Sequence, residues 1–173
     1  GFGGTNLKKL RAMGERSSGD ILNASKPEDM AAILFTSGST GVPKGVVYRH
    51  RHFNAQVRML QSAFNIQPGE VSLPTFPPFA LFDPALGMTT VVPDMDPTRP
   101  AEADPEKLIN AIRKFKVTNV FGSPALLNTL SNYCVDKKIR IESVTRIISA
   151  GAAVPIRTIR RMQKSLYQDA EIH

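Results

Sequence analysis

Ala31-Ala32-Ile33-Leu34-Phe35-Thr36-Ser37-Gly38-Ser39-Thr40-Gly41-Val42-Pro43-Lys44-Gly45 starts as a short apolar run and breaks abruptly into hydroxyl and glycine residues. An apolar run bounded in this way reads as a buried strand feeding a glycine-rich loop. Val46-Val47-Tyr48 reads as the strand that follows. Residues Thr36 to Gly45 hold four hydroxyl side chains, three glycines and one lysine in ten positions. Glycine lets backbone N–H groups turn toward an anion without a Cβ in the way, hydroxyls add donors, and an ammonium supplies a point charge. The loop therefore has the composition of a phosphate site, with Lys44 as its cation. A Walker-type loop needs Gly directly before the lysine and Ser or Thr directly after it. Here Lys44 lies between Pro43 and Gly45, which disfavours that class. A flexible Ser/Gly hairpin between two strands would share the composition and stays open at this point.

Working outward, residues 1–29 form a lead-in with one short helix around Thr5 to Met13, and residues 30–173 form the domain. Phe53, Val57, Leu60 and Phe64 recur at helical spacing until Pro68-Gly69 stops them. Val71 to Leu73 and Thr90 to Val92 read as strands around the aromatic, proline-rich Phe76-Pro77-Pro78-Phe79-Ala80-Leu81-Phe82. Asp104-Pro105-Glu106 is a cap, a first-turn proline and an acidic first turn. It opens a helix with Leu108, Ile109, Ile112 and Phe115 on its buried face. Thr118 to Phe121 is strand-like, and Ser123-Pro124 opens a helix through Leu126, Leu127, Leu130 and Tyr133. Arg146 to Ser149 is a strand. Pro155 opens a last helix whose apolar Ile156, Ile159, Met162 and Leu166 oppose Arg157, Arg160, Arg161 and Lys164. This alternation predicts an α/β domain, a mainly parallel sheet with flanking helices. Ligands of such sheets sit beyond the carboxyl ends of the strands. The small residues after Phe35, Phe121 and Ser149 would leave room for one.

At 173 residues, 42% hydrophobic and 21% charged, the chain has the size and composition of one folded domain. Disordered and collagenous classes are excluded. The net charge of +7 suits partners carrying phosphate or carboxylate. The single cysteine, Cys134, allows neither an internal disulfide nor a cysteine-rich metal site, which favours a cytoplasmic home. No apolar run approaches the ~18 residues of a membrane span. The missing initiator Met and a last segment that looks like the start of a strand suggest a piece of a longer chain.

The string Phe35-Thr36-Ser37-Gly38-Ser39-Thr40-Gly41-Val42-Pro43-Lys44-Gly45 resembles the signature loop of the adenylate-forming superfamily, which includes acyl-CoA synthetases, luciferases and peptide-synthetase adenylation domains. Pro77 to Asp83 resembles the segment beside that family's acyl pocket. Val120-Phe121-Gly122-Ser123-Pro124 resembles another pocket wall, and Arg146 to Pro155 resembles the strand and loop under the adenine ring. Val47 to Phe53 with Phe79 to Pro84 is most similar to the olefin-pathway β-lactone synthetase branch.

The resemblance implies part of a large N-terminal AMP-binding domain and an ATP-dependent ligase acting on a small-molecule carboxylic acid, fatty or fatty-like. It implies that Thr36 and Lys44 are catalytic. Thr36, Ser37, Gly38, Ser39, Thr40, Gly41 and Lys44 would surround the phosphates, and Gly151, Ala152 and Ala153 the adenine. Phe79, Ala80 and Ser123 would stand near the acyl group. It also implies Mg²⁺, with its glutamate ligand beyond His173, and transfer to coenzyme A or closure to a β-lactone. Ala80 replaces a histidine or aromatic that governs thiol access in many relatives. Without the residues past His173, the chain alone is expected to be inactive.

Other constellations read more plainly. His50 and His52, two apart, would point to different sides of a helix and form no metal pair. Asp94 and Asp96 are expected to cap turns, and Cys134 to behave as a small hydrophobe. The basic face of the last helix lacks interleaved aromatics, so nucleic acid is not an expected partner. Phe76, Phe79 and Phe82 either line an acyl tunnel or fill the core. A non-catalytic nucleotide-binding module and a basic surface-binding domain are the remaining rivals.

Overall fold

The computed structural model describes residues 4–16, 25–36 and 43–173. The chain divides into two compact units, Gly1–Asn54 and Ala55–His173.

In the first unit, helix α1 (Leu7–Glu15) is capped by Asn6, whose side chain accepts from the Lys9 N–H at 2.8 Å. Strands β1 (Met30–Thr36) and β2 (Lys44–Arg49) form an antiparallel hairpin. Helix α2 (His50–Phe64) follows at once. His52 Nδ1 accepts from the Arg49 N–H at 3.1 Å, so this histidine serves the helix start. The expectation that β1 is buried does not hold. Phe35 is 73% exposed, and Ile33, Leu34, Val46 and Val47 are exposed as well. A two-stranded ribbon has no second layer on which to bury them. A Cβ on Gly45 would stand 3.1 Å from Ile33 Cγ2 and 3.3 Å from Phe35 Cε1. The bare Gly45 thus lets the side chains of Ile33 and Phe35 pack across the strand pair.

The second unit is a five-stranded sheet in the order β4-β3-β5-β6-β7, parallel throughout. Its strands are β3 (Val71–Pro74), β4 (Thr89–Thr90), β5 (Asn119–Phe121), β6 (Arg146–Ile148) and β7 (Glu171–Ile172). Its longer helices are α4 (Pro105–Phe115), α5 (Pro124–Asp136) and α6 (Ile156–Ser165), with the short α3 (Pro77–Ala80) after β3. The caps fall where the sequence places them. Asp104 Oδ1 accepts from the Glu106 N–H at 2.9 Å, and Ser123 Oγ from the Leu126 N–H at 3.3 Å. Leu73, Val120 and Ile147 of the sheet share the core with Ile112, Leu127, Leu130 and Met162 of the helices.

Two residues expected on buried faces are not there. Phe115, the last residue of α4, is 48% exposed beneath the Lys114 ammonium. Ile156, in the first turn of α6, is 63% exposed, while Thr158 takes a buried place. Arg161, expected on the solvent side, instead ties α6 to α5 through Asn128 Oδ1 at 2.6 Å. Asp96 caps its turn as expected, whereas Asp94 makes an ion pair to α4 instead. Asp96 accepts from the N–H and hydroxyl of Thr98, and Asp94 pairs with Lys107 at 2.7 Å. Cys134 is fully buried, and burial pushes its thiol above the ordinary value. Such a thiol is a core side chain, not a nucleophile.

Candidate active site

The ends of β3, β5 and β6 converge on a cavity of about 280 Å³. Its wall includes Thr75 and Phe76 after β3, Phe79 on α3, Phe121 and Ser123 around the β5 end, and Ala150 and Gly151 after β6. This is where parallel sheets present their loops. Hydrogen bonds hold the strand ends in register. The Thr75 N–H and hydroxyl both donate to the Phe121 carbonyl, at 3.0 and 2.8 Å, and the Gly122 N–H donates to the Ile148 carbonyl at 3.1 Å. The Phe79 ring stacks on Phe121 with centroids 3.9 Å apart, and Phe76 lies 5.7 Å from Phe79 at a tilt. One wall is therefore aromatic.

The small residues do different jobs. Gly151 has φ +96° with open space where a Cβ would be, so its backbone conformation, not crowding, demands glycine. Gly122 is the reverse case. A Cβ there would meet Leu126 Cδ2 at 2.9 Å, so this glycine lets α5 approach the sheet instead of making room for a ligand. The positive end of the α5 dipole opens at Ser123, on the cavity wall, and favours an anion there.

Of the residues expected near an acyl group, Phe79 and Ser123 line the cavity. Ala80 lines a neighbouring apolar cavity of about 160 Å³ with Pro77, Val92 and Met95. Of those expected under adenine, Gly151 is on the wall, while Ala152 and Ala153 are exposed and outside the lining. Lys44 begins β2, in register with Thr36. Ser37, Gly38, Ser39, Thr40 and Gly41 lie outside the described residues. Pro97 and Pro100 also close the cavity. Nothing in the sequence marks these two, because a proline-dense loop reads the same whether or not it borders a ligand.

Phe76, Phe79 and Phe82 separate on inspection. Phe76 faces the larger cavity, Phe79 lines both it and a smaller one of about 60 Å³, and Phe82 lines only the smaller. Asp83 lies on that smaller cavity, accepting from Thr90 Oγ1 at 2.9 Å. Burial pushes its carboxyl above the ordinary value against the pull of hydrogen bonds from Thr90 and Ser72.

Below the strand ends lies a buried polar knot. Arg146 pairs with Glu70 at 2.6 Å and hydrogen-bonds Asn119, whose amide donates to Glu70 at 2.5 Å. Burial alone would raise the Glu70 carboxyl. Hydrogen bonds from Arg146, Asn119 and the Gln67 N–H outweigh it and hold Glu70 below its ordinary value. Among the described residues, no group of three or more His, Cys, Asp or Glu could hold a metal ion.

Residues 5–173 match the profile of the AMP-binding enzyme family. The chain belongs to that family. This AMP-binding chain is 57% identical to an olefin β-lactone synthetase of Stenotrophomonas maltophilia over 99% of its length, and 54% identical to one of Xanthomonas campestris over 98%. It spans about 30% of the length of these curated relatives. In fold, it is similar to the McyG A-PCP structure complexed with phenylalanyl-adenylate, with TM-score 0.73 at 24% identity over 91% of this chain and 26% of that one. Among the described residues, no helix is long and apolar enough to cross a membrane.

Proposed function

We propose that this chain supplies the acid pocket and part of the nucleotide site of an ATP-dependent enzyme that activates a β-hydroxy carboxylic acid as its acyl adenylate and closes it to a β-lactone. The observation that carries the reading is the 57% identity to an olefin β-lactone synthetase across nearly the whole chain. The apolar, aromatic-walled cavity at the strand ends supports it, since a fatty acid needs such a wall beside an anion-tolerant end.

In the first step a carboxylate oxygen attacks the α-phosphorus of ATP, the bond from that phosphorus to the bridging oxygen breaks, and pyrophosphate leaves. The barrier is dominated by bringing an anion to a triphosphate, so fixed donors and a cation around the phosphates address its largest part. Thr36, Ser37, Gly38, Ser39, Thr40, Gly41 and Lys44 take that role in our reading. Gly151, Ala152 and Ala153 take the adenine, and Phe79, Ala80 and Ser123 flank the acyl chain. In the second step the substrate's own β-hydroxyl oxygen attacks the acyl carbon, AMP departs with the electron pair of the broken C–O bond, and the hydroxyl proton passes to solvent. Tethering both groups on one molecule raises their effective concentration. Magnesium would neutralise phosphate charge when bound. The described residues offer it no cluster of ligands.

The test is acid-dependent ATP–pyrophosphate exchange by the full-length protein with a long-chain 3-hydroxy acid, followed by mass spectrometry with coenzyme A present. The expected product has the mass of the acid minus water, together with AMP. Absence of exchange would sink the adenylation reading. A thioester without lactone would sink the closure step and leave coenzyme A transfer.

A further inference from the structure

We propose that the stacked pair Phe79–Phe121 is the partition that sets how deep an alkyl chain runs, and that the 60 Å³ cavity behind it is an extension of the acid pocket. The inference rests on reading the 280 Å³ cavity as the acid site. Both rings line both cavities. They stack at 3.9 Å with an interplanar angle of 20°, so together they form the wall between the two spaces. Behind them stand Leu60, Ile66, Leu86 and Ile148, an apolar shell suited to a methylene chain.

The polar groups on the far cavity are already engaged. Asp83 accepts from Thr90 and from Ser72, and the Asn119 side chain is held by Glu70 and Arg146. An alkyl tail entering there would strand no hydrogen-bonding group, which is the main penalty an apolar guest otherwise meets. A methylene occupies about as much space as a water molecule, roughly 30 Å³, so the far cavity adds room for about two carbons beyond those freed by removing a ring. One pocket thus has two separable properties. Its mouth holds the carboxylate, and the aromatic partition measures the tail.

The experiment is a chain-length series of linear 3-hydroxy acids in pyrophosphate exchange by the full-length protein, comparing the parent with Phe79→Ala, Phe121→Leu and Phe79→Trp. Phe79→Ala and Phe121→Leu should move the optimum to acids about two to four carbons longer, KM improving about fourfold per added methylene. Phe79→Trp should move it to shorter acids. Adding Ile148→Phe to Phe79→Ala should cancel the gain by refilling the far cavity. A parental length profile in Phe79→Ala and Phe121→Leu, with short acids still turned over, overturns the partition. If Phe79→Ala loses exchange with every acid, Phe79→Trp decides, and an unchanged profile there overturns the proposal equally. Lack of acid-dependent exchange in the parent itself would instead remove the acid-site reading.

Discussion

The β1–β2 hairpin and the strand-end cavity are built on opposite terms. The hairpin carries the residues we assign to the phosphates in one unbroken string, Thr36 to Lys44, and its apolar Ile33, Leu34, Phe35, Val46 and Val47 are exposed. The cavity gathers residues as far apart in sequence as Thr75 and Gly151, yet apart from Pro97 and Pro100 its walls sit at the strand ends and helix starts of one parallel sheet. A contiguous motif can be selected for chemistry with few demands on packing. A site assembled by topology inherits the stability of the scaffold that assembles it. Substitutions in the hairpin should accordingly spare folding, whereas those in the scaffold beneath the cavity should cost it.

The largest effect is expected at the knot under the cavity. Arg146→Ala leaves the half-buried Glu70 without its cation and removes charged hydrogen bonds to Glu70 and Asn119, and should cost about 3 kcal/mol of unfolding free energy by denaturant titration. The parent's own pH profile reports the same pair. Because the folded-state pKa of Glu70 is depressed, its stabilising contribution is whole above the ordinary glutamate range and is lost as pH falls through the folded value. The Arg146→Ala variant should lose that part of the acid sensitivity.

Next in size, Lys44→Ala should slow adenylation by about 10²-fold, the scale of one lost charge-stabilising donor, with the melting temperature almost unmoved. A large drop in stability would break the comparison. Smaller still, Gly151→Ala forces a side chain onto a φ of +96° and should destabilise by about 1 kcal/mol in a thermal melt. The smallest effect is expected at Phe35→Ser. The side chain is 73% exposed, so stability should stay within about 0.5 kcal/mol of the parent.

The same contrast explains what could be read from the sequence. The α/β alternation, the caps at Asp104 and Ser123 and the resemblance of the Thr36–Gly45 string are all local, and local signals survive without a fold. The burial of β1 was misjudged because an apolar run of strand length looks identical in a central strand and in a two-stranded ribbon. Gly122 reads as ligand space only until α5 is seen leaning on it. The Glu70–Arg146–Asn119 knot was illegible because its members are 76 and 49 residues from Glu70 and meet only through sheet register. Pro97 and Pro100 come to the cavity by the path of a loop, which no periodicity records.

In our reading Phe76 and its neighbours hold the acid while Lys44 serves the phosphates of ATP. The most direct test measures KM for acid and for ATP separately in Lys44→Ala and Phe76→Ala forms of the full-length protein. Phe76 is half exposed, so its removal should leave the fold intact. Phe76→Ala should raise the acid KM about tenfold with the ATP KM unchanged, from the lost apolar wall. Lys44→Ala should alter the ATP side and leave the acid KM alone. An acid KM untouched by Phe76→Ala, or one shifted chiefly by Lys44→Ala, would contradict it.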